Sequence, residues 1–339
     1  MEQLAHSTHP TAVTDSGRLW AVVVIAGLHL LGWGMLLGLV VPMDVRYGAA
    51  GPAAIAVGLA AYALGVRHAF DADHIAAIDN TTRRFVDRGR PASTVGLWFS
   101  LGHSSVVFLL CLALVVGFGA LGQAIADDSS GVHAVAGVWG PVVSSLFLLA
   151  IAGLNFASLR GGHTAGGPVW RVMSRFEQVV DRPTRMYAVG FTFGLGFDTA
   201  TEIGLLALAG SASFGAVPWW AVLTLPILFA AGMSLIDTVQ GAVMRRAYLW
   251  SPGRSKALGY GAIMTGISAI VAVSIATVQL STVAHDTLGW AGPFAWIGSA
   301  NLGAVGFWLT GTLLAVWASV FVLTRKRVGV GREVPATEP

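Results

Sequence analysis

A single cysteine, Cys111, occurs in 339 residues, and it lies inside an apolar run. This excludes a disulfide framework within the chain and any site built from several thiolates. Charge is scarce too: Asp, Glu, Lys and Arg make up 11% of the chain, against 55% hydrophobic residues. Soluble domains carry about 25% charged residues, so this is the composition of a polytopic membrane protein. No Pro-, Ser- or charge-rich linker is long enough to divide the chain into two soluble domains, and a single membrane domain over residues 1–339 is expected. No Gly-x4-Gly-Lys-Ser/Thr phosphate loop is present, so ATP is not the direct energy source. The net charge of +3 and pI near 9.3 would suit a nucleic-acid partner, but the basic residues flank hydrophobic runs. The lipid bilayer accounts for them, and no nucleic-acid partner is expected. Residues 1–18 are polar and lack the basic n-region of a cleavable signal, so the first span is expected to be retained.

What the chain has instead is apolar stretches of the ~20 residues that a bilayer-crossing helix needs. Eight are expected, at 19–41, 52–78, 93–119, 138–159, 187–210, 217–242, 258–283 and 304–323, making an all-α integral membrane protein. With the N-terminus cytoplasmic, eighteen of the twenty basic residues fall on the inner side. Only Arg46 lies outside, and Arg67 lies within a span. Both termini, 1–18 and 324–339, are therefore expected in the cytoplasm, and the protein in the cell (inner) membrane.

Against so little charge, one run stands out: Arg67-His68-Ala69-Phe70-Asp71-Ala72-Asp73-His74-Ile75, at the end of the second span. Ionisable groups at membrane depth are costly and mark ion or substrate routes, and His-x4-Asp-His offers nitrogen and oxygen ligands that suit a borderline divalent cation. On an ideal helix His68, Asp71 and His74 share an arc of about 120°, with Arg67 inside it and Asp73 opposite. Either Asp73 meets another partner or the helix is irregular here. Asn80 or Thr81 is expected to cap or end this helix. The bland alternative for the whole run is a polar network that ties helices together.

Other spans add fewer groups. His103 in the third span becomes a ligand or ligand-orienting candidate beside this run, with Gly102 allowing close backbone approach. In the fifth span Asp198, Thr201 and Glu202 share one helical face, and two carboxylates in low dielectric call for a proton or cation between them. Asp237 in the sixth span is a further carboxylate, near enough to the cytoplasmic end for solvation to be the alternative. His29, alone in the first span, reads as structural, while Gly34-x3-Gly38 offers a close helix approach. Asp127, Asp128 and His133 read as a solvated external loop. The fourth span is bland apart from Asn155, and the seventh and eighth read as scaffold or lipid-facing. Phe70-Asp71 matches Phe197-Asp198, and Phe99-x2-Gly102-x-Ser104 matches Phe229-x2-Gly232-x-Ser234. The matched spans lie three apart and cross in opposite senses, as an inverted repeat requires.

Four stretches resemble the signatures of the nickel/cobalt transporter family (NiCoT), eight-span metal permeases: Arg67–Ile75, Phe99–Val107, Leu195–Glu202 and Gly232–Gln240. The resemblance implies high-affinity uptake of Ni²⁺ or Co²⁺ as substrate, with no resident cofactor and no enzymatic activity. It also implies His68, Asp73 and His74 as the core metal-recognition residues, promoting Asp73 over the Asp71 that the helical wheel favours. Gln240 departs from the pattern, which usually ends in an aspartate. The expected path thus has His68, Asp71, Asp73, His74 and His103 as ligand candidates. Arg67, Asp198, Thr201, Glu202 and Asp237 are supporting, charge-compensating or proton-coupled. Metal efflux and a membrane-embedded metal hydrolase are the rivals.

Overall fold

The computed structural model describes residues 16–44, 53–116, 130–159, 180–196, 218–249 and 257–298, with 308, 311 and 312. Its elements are all helical: α1 (Ser16–Met35), α2 (Ala54–His68), α3 (Ala72–Asp87), α4 (Val95–Val115), α5 (Gly131–Leu159), α6 (Met186–Gly194), α7 (Trp219–Val222), α8 (Thr224–Leu249), α9 (Ala257–Leu288) and α10 (Pro293–Gly298). Among the described residues, five helical runs are long and apolar enough to cross a membrane: Gly17–Met43, Val95–Ala113, Gly137–Ala157, Trp219–Leu249 and Thr265–Leu288. They correspond to the expected first, third, fourth, sixth and seventh spans. The expected fifth is described only to residue 196, and of the eighth only 308, 311 and 312 are described.

The second expected span is two helices. α2 ends at His68, and residues 69–71 tighten into i→i−3 bonds, Phe70 N–H to Arg67 C=O (3.0 Å) and Asp71 N–H to His68 C=O (3.0 Å). Asp71 then turns extended (ψ 139°) and stands as N-cap of α3. The break corrects the continuous helix on which the wheel was drawn, and the irregular alternative holds. Aspartate favours such a position because its short carboxylate competes with helical backbone bonding, and here it is drawn back to His68.

α3 does not stop at Asn80 or Thr81 but runs to Asp87. Asn80 stays helical because its amide donates to Ala76 C=O (2.9 Å) one turn back and its Oδ1 accepts from Asn155 on α5 (2.7 Å). Although polar, α3 has thirteen of its sixteen residues buried. It contacts α4, α5, α8 and α9, and Arg83 and Arg84 are buried on it rather than solvated in a loop.

Two close crossings fix the helices around α3. At the first, a Cβ on Gly102 (α4) would lie 1.9 Å from Tyr187 C=O (α6), and one on Gly190 (α6) 1.9 Å from Phe99 C=O (α4). At the second, a Cβ on Gly65 (α2) would lie 2.1 Å from Phe229 C=O (α8), and one on Gly232 (α8) 2.6 Å from Tyr62 C=O (α2). Only glycine allows such backbone contact, the small-residue packing of membrane helices. Gly34 and Gly38, by contrast, have nothing within 4 Å of a Cβ. Gly32 of α1, with Leu36 and Val40 on the π-helical turn (Leu36–Val40) that continues it, instead face inward, against Leu228 and its neighbours.

Candidate metal centre

The break between α2 and α3 carries His68 and His74 to one point, and the α4–α6 crossing brings His103 to the same point. Ring centroids are separated by 4.8 Å (His68–His74), 4.7 Å (His68–His103) and 4.8 Å (His74–His103). One ligand nitrogen from each lies within 4.8 Å of the others, and each side chain is 2% exposed. Phe99 and Phe193 close over His74, at 4.9 and 6.3 Å, and Phe229 lies 5.6 Å from His68. Aromatic walls exclude water, so a cation entering must exchange its hydration shell for protein ligands.

Asp71 orients the first imidazole: its Oδ2 lies 3.0 Å from His68 Nδ1. The contact is an ion pair at Nδ1 and leaves His68 Nε2 turned towards His103, as in the carboxylate–histidine arrangement of metal sites. His68 Nε2 and His103 Nε2 are 2.9 Å apart, so one proton bridges them, and a cation held by both nitrogens would take its place as that proton moved to the other nitrogen of its ring. His74 Nδ1 is buried without a hydrogen-bond partner. A buried imidazole nitrogen left open costs free energy unless something occupies it, so this atom is open to a ligand.

Asp73 faces the other way. Its Oδ1 accepts from His74 N–H (3.0 Å), and its Oδ2 accepts from Gln279 Nε2 on α9 (3.1 Å) and lies 2.9 Å from Ser144 Oγ on α5. Ser145 Oγ in turn donates to Gln279 Oε1 (3.0 Å). Asp73 therefore ties the start of α3 to the α5–α9 pair. Asp237 on α8 is 0% exposed with both carboxylate oxygens unbonded, so solvation is not its role, and it lies within electrostatic reach of His68 and Asp71. Arg67, expected in the ligand arc, is exposed, unlike the buried His68 beside it. Asp198, Thr201 and Glu202 lie outside the described residues, as do Asp127 and Asp128. His29 is structural, hydrogen-bonded to Ile25 C=O (2.8 Å) and Tyr62 Oη (3.2 Å).

Sequence reading missed Ser144, Ser145 and Gln279, and it undervalued Asn155. α9 is not plain scaffold, because Ser268 and Gln279 face the interior. The available signal was faint: uncharged polar residues in otherwise apolar spans.

A helical, multi-pass membrane protein with three imidazoles buried in mutual contact is the class that this fold and site define. The profile of the high-affinity nickel-transport protein family (NicO) matches residues 54–323, and the chain belongs to that family. It is 44% identical over 327 residues to nickel transporter NicT of Mycobacterium tuberculosis, covering 89% of this chain and 86% of that one. It is 37% identical over 320 residues to nickel transporter NixA of Staphylococcus aureus (87% and 90% covered). It is 38% identical over 297 residues to the cobalt transport protein NhlF of Rhodococcus rhodochrous (80% and 82%). No solved structure matches the chain. The family is one of transporters, which removes the hydrolase alternative.

Proposed function

We propose that the chain is an inner-membrane permease that takes up Ni²⁺ or Co²⁺ through the His68–His74–His103 cluster. The observation that carries this is the contact of three buried imidazoles inside a helical bundle, a donor set suited to borderline divalent ions. His68 and His74 bind from either side of the helix break, His103 binds from α4, and Asp71 holds the His68 tautomer. Asp237, buried and unbonded beside them, supplies negative charge to a dication that three neutral imidazoles leave uncompensated. Asp73 positions His74 through the α5–α9 pair rather than binding the ion in this conformation. Only neutral imidazoles can ligate, so uptake should fall where acid protonates them.

Eight spans with cytoplasmic termini remain our reading of the topology. The inverted repeat gains support from the two glycine crossings, which use the same four-part contact: Tyr62 and Gly65 with Phe229 and Gly232, Tyr187 and Gly190 with Phe99 and Gly102. That register is two residues offset from the match of Phe70-Asp71 with Phe197-Asp198; in it Phe193 corresponds to His68, so one half presents an imidazole where the other presents a phenyl ring.

The test is accumulation of ⁶³Ni²⁺, with Co²⁺ and Zn²⁺ as competitors, in cells expressing wild type or His68→Ala at matched surface levels. Uptake in the wild type that is lost in the variant is expected. Wild-type cells that accumulate nothing, or lose metal faster than controls, would refute uptake.

A further inference from the structure

A second polar cluster lies one and a half turns further along α3, and the site above does not use it. Asp79 is buried, with Tyr248 Oη (α8) donating to its Oδ1 and Ser268 Oγ (α9) to its Oδ2 at 2.8 Å. Asn80 Nδ2 reaches Ser268 C=O (3.4 Å) as well as Ala76 C=O, and Asn155 Nδ2 donates to Asn80 Oδ1 (2.7 Å). Beside them Arg83 is 2% exposed, and none of its three guanidinium nitrogens makes a hydrogen bond. It sits 5.9 Å from the centroid of the Tyr248 ring, within electrostatic reach of Asp79, and 3.8 Å from the exposed carboxylate of Asp87.

A guanidinium with five donors is normally tied by a fork of hydrogen bonds. Burying one held by charge and a ring face alone is costly. It is the arrangement expected of a cation that must leave its place readily. The oxygens of Asp79, Tyr248, Ser268 and Asn80 form a hard donor set, weaker for a borderline divalent ion than three imidazoles. The two sites are connected by α3 itself, since Asp79 follows His74 by five residues, ~7.5 Å along the axis. They also share one face of α8, where Asp237 and Tyr248 are eleven residues, about three turns, apart.

We propose that Asp79, Tyr248 and Ser268 form a second, all-oxygen station for the permeating divalent cation, on the cytoplasmic side of the imidazole cluster, with Arg83 holding its place until the ion arrives. The inference rests on the permease reading. An ion stepping off the imidazoles exchanges nitrogen for weaker oxygen ligands, and its charge drives Arg83 towards Asp87 and water. When the ion departs, Arg83 returns over Tyr248 and closes the way back. The station provides release from a site that would otherwise hold its cargo too well.

Purified wild type, Arg83→Gln and Arg83→Gln/Asp79→Asn would be titrated with Co²⁺, following visible absorption and stoichiometry. The wild type should take one ion per chain, at the imidazoles. Arg83→Gln should add a second, weaker ion with the faint absorption of six-coordinate oxygen ligation, and the double variant should lose it. In parallel, ⁶³Ni²⁺ flux into proteoliposomes would be measured for Tyr248→Phe, which keeps the ring and loses one oxygen. Its Co²⁺ affinity should match wild type while flux falls about tenfold or more, since an oxygen contact to a charged group is lost. Arg83→Gln that still binds one ion, or Tyr248→Phe with wild-type flux, overturns the station. Equal loss of first-site binding and flux in Tyr248→Phe also overturns it, in favour of a purely structural network. Wild type that binds no Co²⁺ and carries no Ni²⁺ refutes the permease reading instead.

Discussion

At the scale of single residues, the two aspartates of the Asp71-Ala72-Asp73 run divide their labour, and the division is measurable. Asp71 fixes His68 through Nδ1 at 3.0 Å. Asp71→Asn should weaken Co²⁺ binding about 10–100-fold, the usual cost of losing a carboxylate that orients a ligating histidine. Unchanged affinity by titration would remove Asp71 from the site. Asp73 acts through Gln279 and Ser144, so Gln279→Ala, remote from the ion, should also lower Co²⁺ affinity without abolishing it. Gln240, at the position where the family pattern usually has aspartate, points its amide at Ile75 C=O on α3, 3.5 Å away. A carboxylate there cannot donate and would repel that carbonyl, while adding negative charge near Asp237. Gln240→Asp should therefore shift the ratio of Ni²⁺ to Co²⁺ uptake, read from competition assays, and an identical ratio would show that this position does not tune selectivity.

At the scale of helices, the crossings at Gly102–Gly190 and Gly65–Gly232 place the histidines, and they leave no room for a methyl group. Gly102→Ala puts a Cβ 1.9 Å from Tyr187 C=O. Overpacking of this kind costs about 1–3 kcal/mol, and the shift it forces moves His103 away from His68. The expected result is a lower Tm in detergent together with weaker Co²⁺ binding. A variant with wild-type Tm and affinity would mean that α4 and α6 are not held at this distance. α3 makes the complementary point, because a helix so polar is stable inside a bundle only when partners satisfy most of its buried groups, Arg83 being an exception. Asp73, Asp79 and Asn80 each find theirs on α5, α8 or α9.

At the scale of the whole molecule, the topology can be read by thiol labelling, because the natural Cys111 is 2% exposed and should give little background. With both termini cytoplasmic, a cysteine introduced by Asp44→Cys should react with an impermeant maleimide in intact cells. One introduced by Arg88→Cys should react only after the membrane is opened. The reverse pattern would invert the orientation, and labelling of both from outside would overturn the span count between them.

Composition alone determined the membrane environment, since a chain this apolar cannot remain folded in water. Motif spacing alone picked out His68, His74 and His103, because an ionisable group in an apolar span is conspicuous wherever it points. Which aspartate serves the imidazoles was beyond the sequence: Asp71 and Asp73 are two residues apart, and only the break at residues 69–71 turns one towards His68 and the other towards Gln279. The same holds for Asn80, where a local cap signal was outweighed by Asn155 from 75 residues away. Uncharged polar residues such as Ser144, Ser268 and Gln279 cost little in an apolar span and so leave only a faint mark on the sequence. Their roles arise from the groups that the fold sets opposite them, which only tertiary packing decides.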